Sequence, residues 1–283
     1  MSLELAMITP HTPRICFPDK VPDFQKPMVE AMYRCADAIE ALNPDVIVLI
    51  SCHWMTSFFH YVDITPRHQG ILTAVECPDL ISDVPYDHPG HPELGRRMVE
   101  AGKAAGLSVV GIDDPTYTWD YGTVVPLRYL IKRKDTPVIN LSVCWAASLE
   151  ESMEWGRVLG EVFDETPLRV VFLASGALAH NLFRGPELWP NITEQALDRE
   201  FCSHLVNGDR DSAVSMLPSY VRAAGVEAGG RHVAVLLECC AIASGDSCTV
   251  TVHRPDRAIR CSPSATRGEV TPPDARAVGK ADG

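Results

Sequence analysis

Aliphatic runs alternate with amphipathic stretches along most of the chain. The strand-like runs are LELAMIT (3–9), VIVLIS (46–51), LSVVGI (107–112), TPVINLSV (136–143) and LRVVFLAS (168–175). Short continuous apolar runs of this kind read as strands covered on both faces. Between them, MVEAMYRCADAIEAL (28–42) carries apolar residues at helical spacing, and PELGRRMVEAGKAAG (92–106) ends on a glycine stop. Residues around 148–163, 193–214 and 232–244 continue the helical series. Strands alternating with helices predict an α/β fold: one domain with a central, largely parallel sheet flanked by helices. In such a sheet ligands bind in the crevice beyond the carboxyl ends of the strands, so the residues there carry the most information.

The pattern fades at SPSATRGEVTPPDARAVGKADG (262–283), which has three prolines and few large apolar residues. It predicts a flexible carboxyl-terminal extension that cannot bury enough surface to fold alone, and leaves residues 1–261 as the folded domain. A 46% hydrophobic and 22% charged composition is that of an ordinary globular protein. No run approaches the roughly eighteen apolar residues of a membrane-spanning helix, and MSLELAMITPH at the amino terminus lacks a secretory pattern. The ten cysteines are scattered without a CxxC pair and read as reduced thiols. The expected compartment is the cytoplasm. A net charge of −12 excludes nucleic acid and anionic membrane as natural partners.

Three histidines stand where strands give way to loops: His11 in ITPHTP, His53 in ISCHW and His180 in LASGALAH. Side chains at several strand ends converge on one crevice, and imidazole is the commonest metal ligand. His88 and His91 straddle Pro89 and Gly90, which predicts a solvated turn rather than a metal pair on one helix face. His60, His68, His204 and His253 sit in no pattern and read as surface or packing residues, while His232 opens an apolar helix. Two carboxylates compete for the same site. Glu238 interrupts VAVLLECCAIA, where an unpartnered charge is costly, and Glu227 lies among glycines in AGVEAGGRH. Spacing does not decide between them. The chain has no GxSxG elbow, no GxGxxG or GxxxxGK[ST] loop and no HExxH, so serine hydrolysis, nucleotide binding and zincin chemistry have no signature.

ITPHTP, SCHW, WDYGTVVPLRY (119–129) and LASGALAH (173–180) together resemble the class III extradiol ring-cleavage dioxygenases, the family of protocatechuate 4,5-dioxygenase. HPELG (91–95), MLPSY (216–220) and the tyrosine of DYGTVVPLRY are most similar to two of its branches, 3,4-dihydroxyphenylacetate 2,3-dioxygenase and 2-aminophenol 1,6-dioxygenase. The resemblance runs from about residue 3 to about residue 245. It implies a catalytic domain over residues 1–261 and one non-haem Fe(II), with His11 and His53 as its histidine ligands. The family carboxylate precedes a long apolar helix in a glycine-containing loop, which matches Glu227 and not Glu238. His180 matches the acid–base histidine, and Tyr121 the tyrosine that contacts the substrate, where many relatives carry histidine.

The implied reaction inserts both atoms of O2 into a catechol-type or 2-aminophenol-type ring. The expected partners are a small aromatic substrate and O2, with self-association into a homo-oligomer or pairing with a related subunit. The alternative is a metal-free partner subunit or a non-enzymatic interaction protein on the same fold, against which the intact His11, His53 and Glu227 set argues.

Overall fold

The computed structural model describes residues 3–181 and 190–242, together with the backbone of three two-residue strands at 250–251, 253–254 and 257–258. The predicted extension at 262–283 lies outside the described residues. In chain order the elements are β1 (Leu3–Thr9), α1 (Lys26–Leu42), β2 (Val46–Thr56), β3 (His60–Asp63), β4 (Arg67–Leu72), β5 (Val84–Pro89) and α2 (Pro92–Ala104). Then follow β6 (Val109–Ile112), α3 (Tyr121–Leu130), β7 (Val138–Cys144), α4 (Leu149–Asp164), β8 (Val170–Ser175), α5 (Ile192–Val206), α6 (Arg210–Ala224), α7 (Arg231–Ile242) and β9 (Val250–Thr251). The main sheet has the order β6-β3-β7-β2-β8-β1-β9. Its strands from β7 to β9 run parallel, and only the β3–β6 pair at one edge is reversed. The predicted α/β architecture with a largely parallel sheet is what the chain forms.

The central strand explains why its sequence is uniformly apolar. Val46, Val48 and Ile50 point to one face, where they meet Met98 of α2, Trp155 and Leu159 of α4 and Leu236 of α7. Ile47 and Leu49 point to the other, against Val29 and Met32 of α1 and Val124 and Val125 of α3. With helices on both faces the period-two alternation is hidden, since every position is core. Each such side chain contributes roughly 1.5–3 kcal/mol of burial. The helices α4 and α7 pack at very close range: a methyl group on Gly156 would stand 2.2 Å from the Val235 carbonyl oxygen.

Several elements differ from the sequence expectation. The helix expected over 193–214 is two, because Asn207-Gly208 turns the chain (Gly208 φ 68°) and Asp209 caps α6 by accepting from Ser212 N–H. The hairpin β4–β5 and strand β3 carry polar residues and escaped the apolar pattern. His88 and His91 do not form a solvated turn. His88 lies in β5, its ring stacked on Trp119, and His91 caps α2 by accepting from Leu94 N–H. His60 and His68 are buried against Glu151 and Asp63. Cys16, Cys35, Cys52, Cys77 and Cys144 are free thiols. Among the described residues no helix is long and apolar enough to cross a membrane.

Candidate metal centre

Three strands end together and deliver the site. Strand β1 runs parallel to β8 with Thr9 opposite Ser175, and β2 pairs the other side of β8 only as far as Ser51 opposite Ser175. Two residues past Thr9, His11 turns inward and its Nδ1 lies 2.9 Å from Ser175 Oγ. Beyond Ser51, β2 leaves β8 and its register on β7 shifts before Met55. That irregularity re-aims the strand end, as bulges beside sites do. His53 there faces the crevice, its backbone N–H donating to Ser51 Oγ at 3.2 Å.

The carboxylate arrives from the far side. Helix α6 stops at Gly225 (φ 58°), and Ala228, Gly229 and Gly230 all adopt left-handed conformations, with φ of 49°, 61° and 71°. Glycine supplies such angles freely and alanine at a cost. The turn they make holds Glu227 against the 176–180 segment. Its N–H donates to Leu178 O at 3.2 Å, its Oε2 accepts from Ala177 N–H, and Val226 bridges Ala179. With Oε2 anchored, Oε1 faces three imidazoles: His11 Nε2 at 3.3 Å, His53 Nε2 at 3.5 Å and His180 Nε2 at 3.8 Å. Glu238 is elsewhere, on α7 and paired with the Arg210 guanidinium. The geometry therefore brings Glu227 and not Glu238 to the histidines.

His180 sits at the rim, one-third exposed, with its backbone N–H bound to Gly225 O at 3.1 Å. Tyr121, the first residue of α3, packs its ring 3.9 Å from His53 and 5.6 Å from His11, centroid to centroid. All five residues singled out from the sequence thus meet in one place.

Burial alone would push the Glu227 carboxyl up. The hydrogen bond and charge of His11, the Ala177 N–H and the charge of His180 overcome it and hold the group down to about 2. Burial, reinforced by the charge of His11, pushes His53 below the ordinary imidazole value. Burial raises the Tyr121 phenol, helped by the charges of Glu76, Cys77, Glu227 and Asp120, so it stays a hydroxyl donor. An ionised carboxylate beside a neutral imidazole is the protonation state that metal ligation needs. One ligand atom from each of His11, His53 and Glu227 falls within 4.8 Å of the others. Donors about 2.1 Å from a shared cation lie roughly 3 Å apart on adjacent positions, close to the 3.3 and 3.5 Å separations here. Two nitrogens and one oxygen fit a borderline divalent ion such as Fe(II).

The sequence reading missed the groups that orient these side chains. Asp120 caps α3 by accepting from Thr123 N–H, and accepts from Ser51 Oγ at 2.6 Å, which ties α3 to β2. Ser175 joins His11 to the Gly122 carbonyl. Glu76 places Oε1 3.7 Å from His53 Nδ1. Single polar residues of this kind have no spacing to betray them; only the aspartate three residues before Thr123 carried a helix-capping signal.

The chain is 26% identical over 215 residues to 3,4-dihydroxyphenylacetate 2,3-dioxygenase of Escherichia coli, covering 74% of this chain and 76% of that one. It is 30% identical over 187 residues to the 2-aminophenol 1,6-dioxygenase beta subunit of Pseudomonas sp, which covers 61% of each chain. The alpha subunit of that enzyme is 22% identical over 245 residues, 84% of this chain and 89% of that one. In fold it resembles the crystal structure of the uncharacterized protein JW3007 from Escherichia coli K12. There the TM-score is 0.56 at 20% identity, over 82% of this chain and 90% of that one. Residues 5–254 match the family described as the catalytic LigB subunit of aromatic ring-opening dioxygenase, and the chain belongs to that family.

Proposed function

We propose that this protein is a non-haem Fe(II)-dependent extradiol dioxygenase that opens a catechol-type or 2-aminophenol-type ring and inserts both atoms of O2. The observation that carries the reading is the meeting of His11 Nε2, His53 Nε2 and Glu227 Oε1 from three separate segments of the chain, with His180 and Tyr121 beside them. In this reading residues 1–261 form the catalytic domain and 262–283 an extension. The chain acts in the cytoplasm, as a homo-oligomer or paired with a related subunit.

His11, His53 and Glu227 would hold the iron. Fe(II), once bound, would bring the ring heteroatoms and O2 together and supply the redox chemistry that their reaction needs. The protein supplies position and protons. Tyr121 keeps its proton and donates a hydrogen bond to the substrate heteroatom, fixing the ring in one orientation. His180 takes a proton from the substrate hydroxyl or amine and later returns it to the oxygen that becomes product, since imidazole can serve both ways. Its place at the exposed rim lets it meet a substrate that enters from solvent.

The test is anaerobic reconstitution followed by oxygen uptake on a panel of substituted catechols and 2-aminophenols, with ring-fission products followed by their yellow absorbance. One Fe(II) per chain and uptake with at least one ring class is the expected result. Glu227→Gln should lose iron and uptake together while Glu238→Gln keeps the metal. Iron loss that followed Glu238 would refute the site.

A further inference from the structure

We propose that Ser175 is a positioning residue that holds a proton on Nδ1 of His11, so that Nε2 is the nitrogen left to ligate, and that a proline in α3 makes this possible. The inference deepens the reading of His11 as a metal ligand and rests on it only for its consequence, not for its geometry.

Pro126 lies inside α3 and has no N–H. Its missing donor is the one that would bond the carbonyl four residues back, which belongs to Gly122. A buried carbonyl left without that partner needs another donor. Ser175, fully buried at the end of β8, makes the contact through Oγ.

That single contact settles the protons. Two oxygens in hydrogen-bond contact need one proton between them, and a carbonyl has none to give. The Ser175 hydroxyl proton therefore points at Gly122. A hydroxyl carries only one proton, so toward His11, 2.9 Å away, Ser175 Oγ can only accept. His11 must then donate through Nδ1, which leaves Nε2, 3.3 Å from Glu227 Oε1, as the nitrogen whose lone pair a metal would take; without metal, a proton on Nε2 is shared with that carboxylate. A histidine ligand whose outer nitrogen donates to a fixed acceptor is held in both orientation and tautomer. Gly122 is itself constrained: a methyl group there would stand 2.4 Å from Ser51 Oγ, so the helix end sits close enough to the strands for its carbonyl to reach Ser175. The order Pro126, Gly122, Ser175, His11 thus runs from a helix irregularity to a ligand lone pair.

The experiment uses the metal-free full-length chain labelled with 15N-histidine. Long-range proton–nitrogen correlation spectra tell a protonated ring nitrogen from one with a lone pair, and His11→Gln identifies the His11 signals. The wild-type chain should show His11 protonated at Nδ1. A wild-type His11 with no proton on Nδ1 would overturn the proposal whatever any variant does. In Ser175→Ala the Nδ1 proton loses its acceptor, so its signal should shift or vanish by exchange, and anaerobic Fe(II) titration should show binding weakened roughly 10–100-fold. Unchanged affinity in a folded Ser175→Ala chain would also overturn it. A wild-type chain with the expected Nδ1 proton that takes up no Fe(II) would refute the metal reading instead and leave this assignment standing.

Discussion

Replacing His180 separates proton transfer from metal retention. Its Nε2 is farther from Glu227 Oε1, at 3.8 Å, than those of His11 and His53, and its ring is the most exposed of the three. His180→Ala should therefore fold and keep iron, yet open the ring about 10²–10⁴-fold more slowly, the worth of a positioned acid–base group. The deficit should shrink for a nitrocatechol, whose hydroxyl is already acidic and needs less help to ionise. Metal analysis beside single-turnover rates checks this; an iron-free variant would make His180 a ligand, and a fully active one would remove its role. At this scale the histidines were legible because each ends an apolar run. The choice between Glu227 and Glu238 was not legible from spacing and came only from the family resemblance, since it depends on three successive left-handed residues that swing Glu227 inward.

Among the elements, the α4–α7 contact fixes where the site's carboxylate loop ends, because α7 follows that loop directly. Gly156 leaves room for the Val235 backbone, and a methyl group would meet its carbonyl oxygen at 2.2 Å. Gly156→Ala should cost about 1–3 kcal/mol, as overpacking of a filled core does, and lower the thermal midpoint. A midpoint equal to wild type would mean that the two helices part without cost. The covered strands and long amphipathic helices could be read directly, because burial on both faces or on one stripe leaves a plain periodicity. Helix α3 could not: it is ten residues long, nearly all buried, and carries a glycine and a proline, so it has no polar stripe to give it away. The hairpin β4–β5 failed for another reason: its buried positions are His68, Leu72, Val84 and Tyr86, a mixture with no continuous aliphatic run.

For the molecule as a whole, the buried titratable groups predict acid sensitivity of the metal-free chain. His232 is fully buried, neither ring nitrogen has a partner among the described residues, and burial pushes it from 6.5 down to about 4. Between those values the unfolded chain binds a proton that the folded chain refuses, so stability falls as pH falls from 6.5 to 4. The full loss from this group is on the order of 3 kcal/mol. Glu227 acts in the same direction lower down: its depressed value favours folding above 4.5, and that contribution disappears as pH falls toward about 2. His232→Met should flatten the decline of the thermal midpoint across the upper window, and an unchanged slope would show that His232 titrates normally. The central claim, that this site opens an aromatic ring with molecular oxygen, is tested most directly by supplying 18O2 to the iron-loaded chain with whichever catechol or aminophenol it consumes, and weighing the ring-opened product. Two 18O atoms in each product molecule, with one O2 taken up per ring, is the predicted result; a product carrying one labelled atom or none would contradict it.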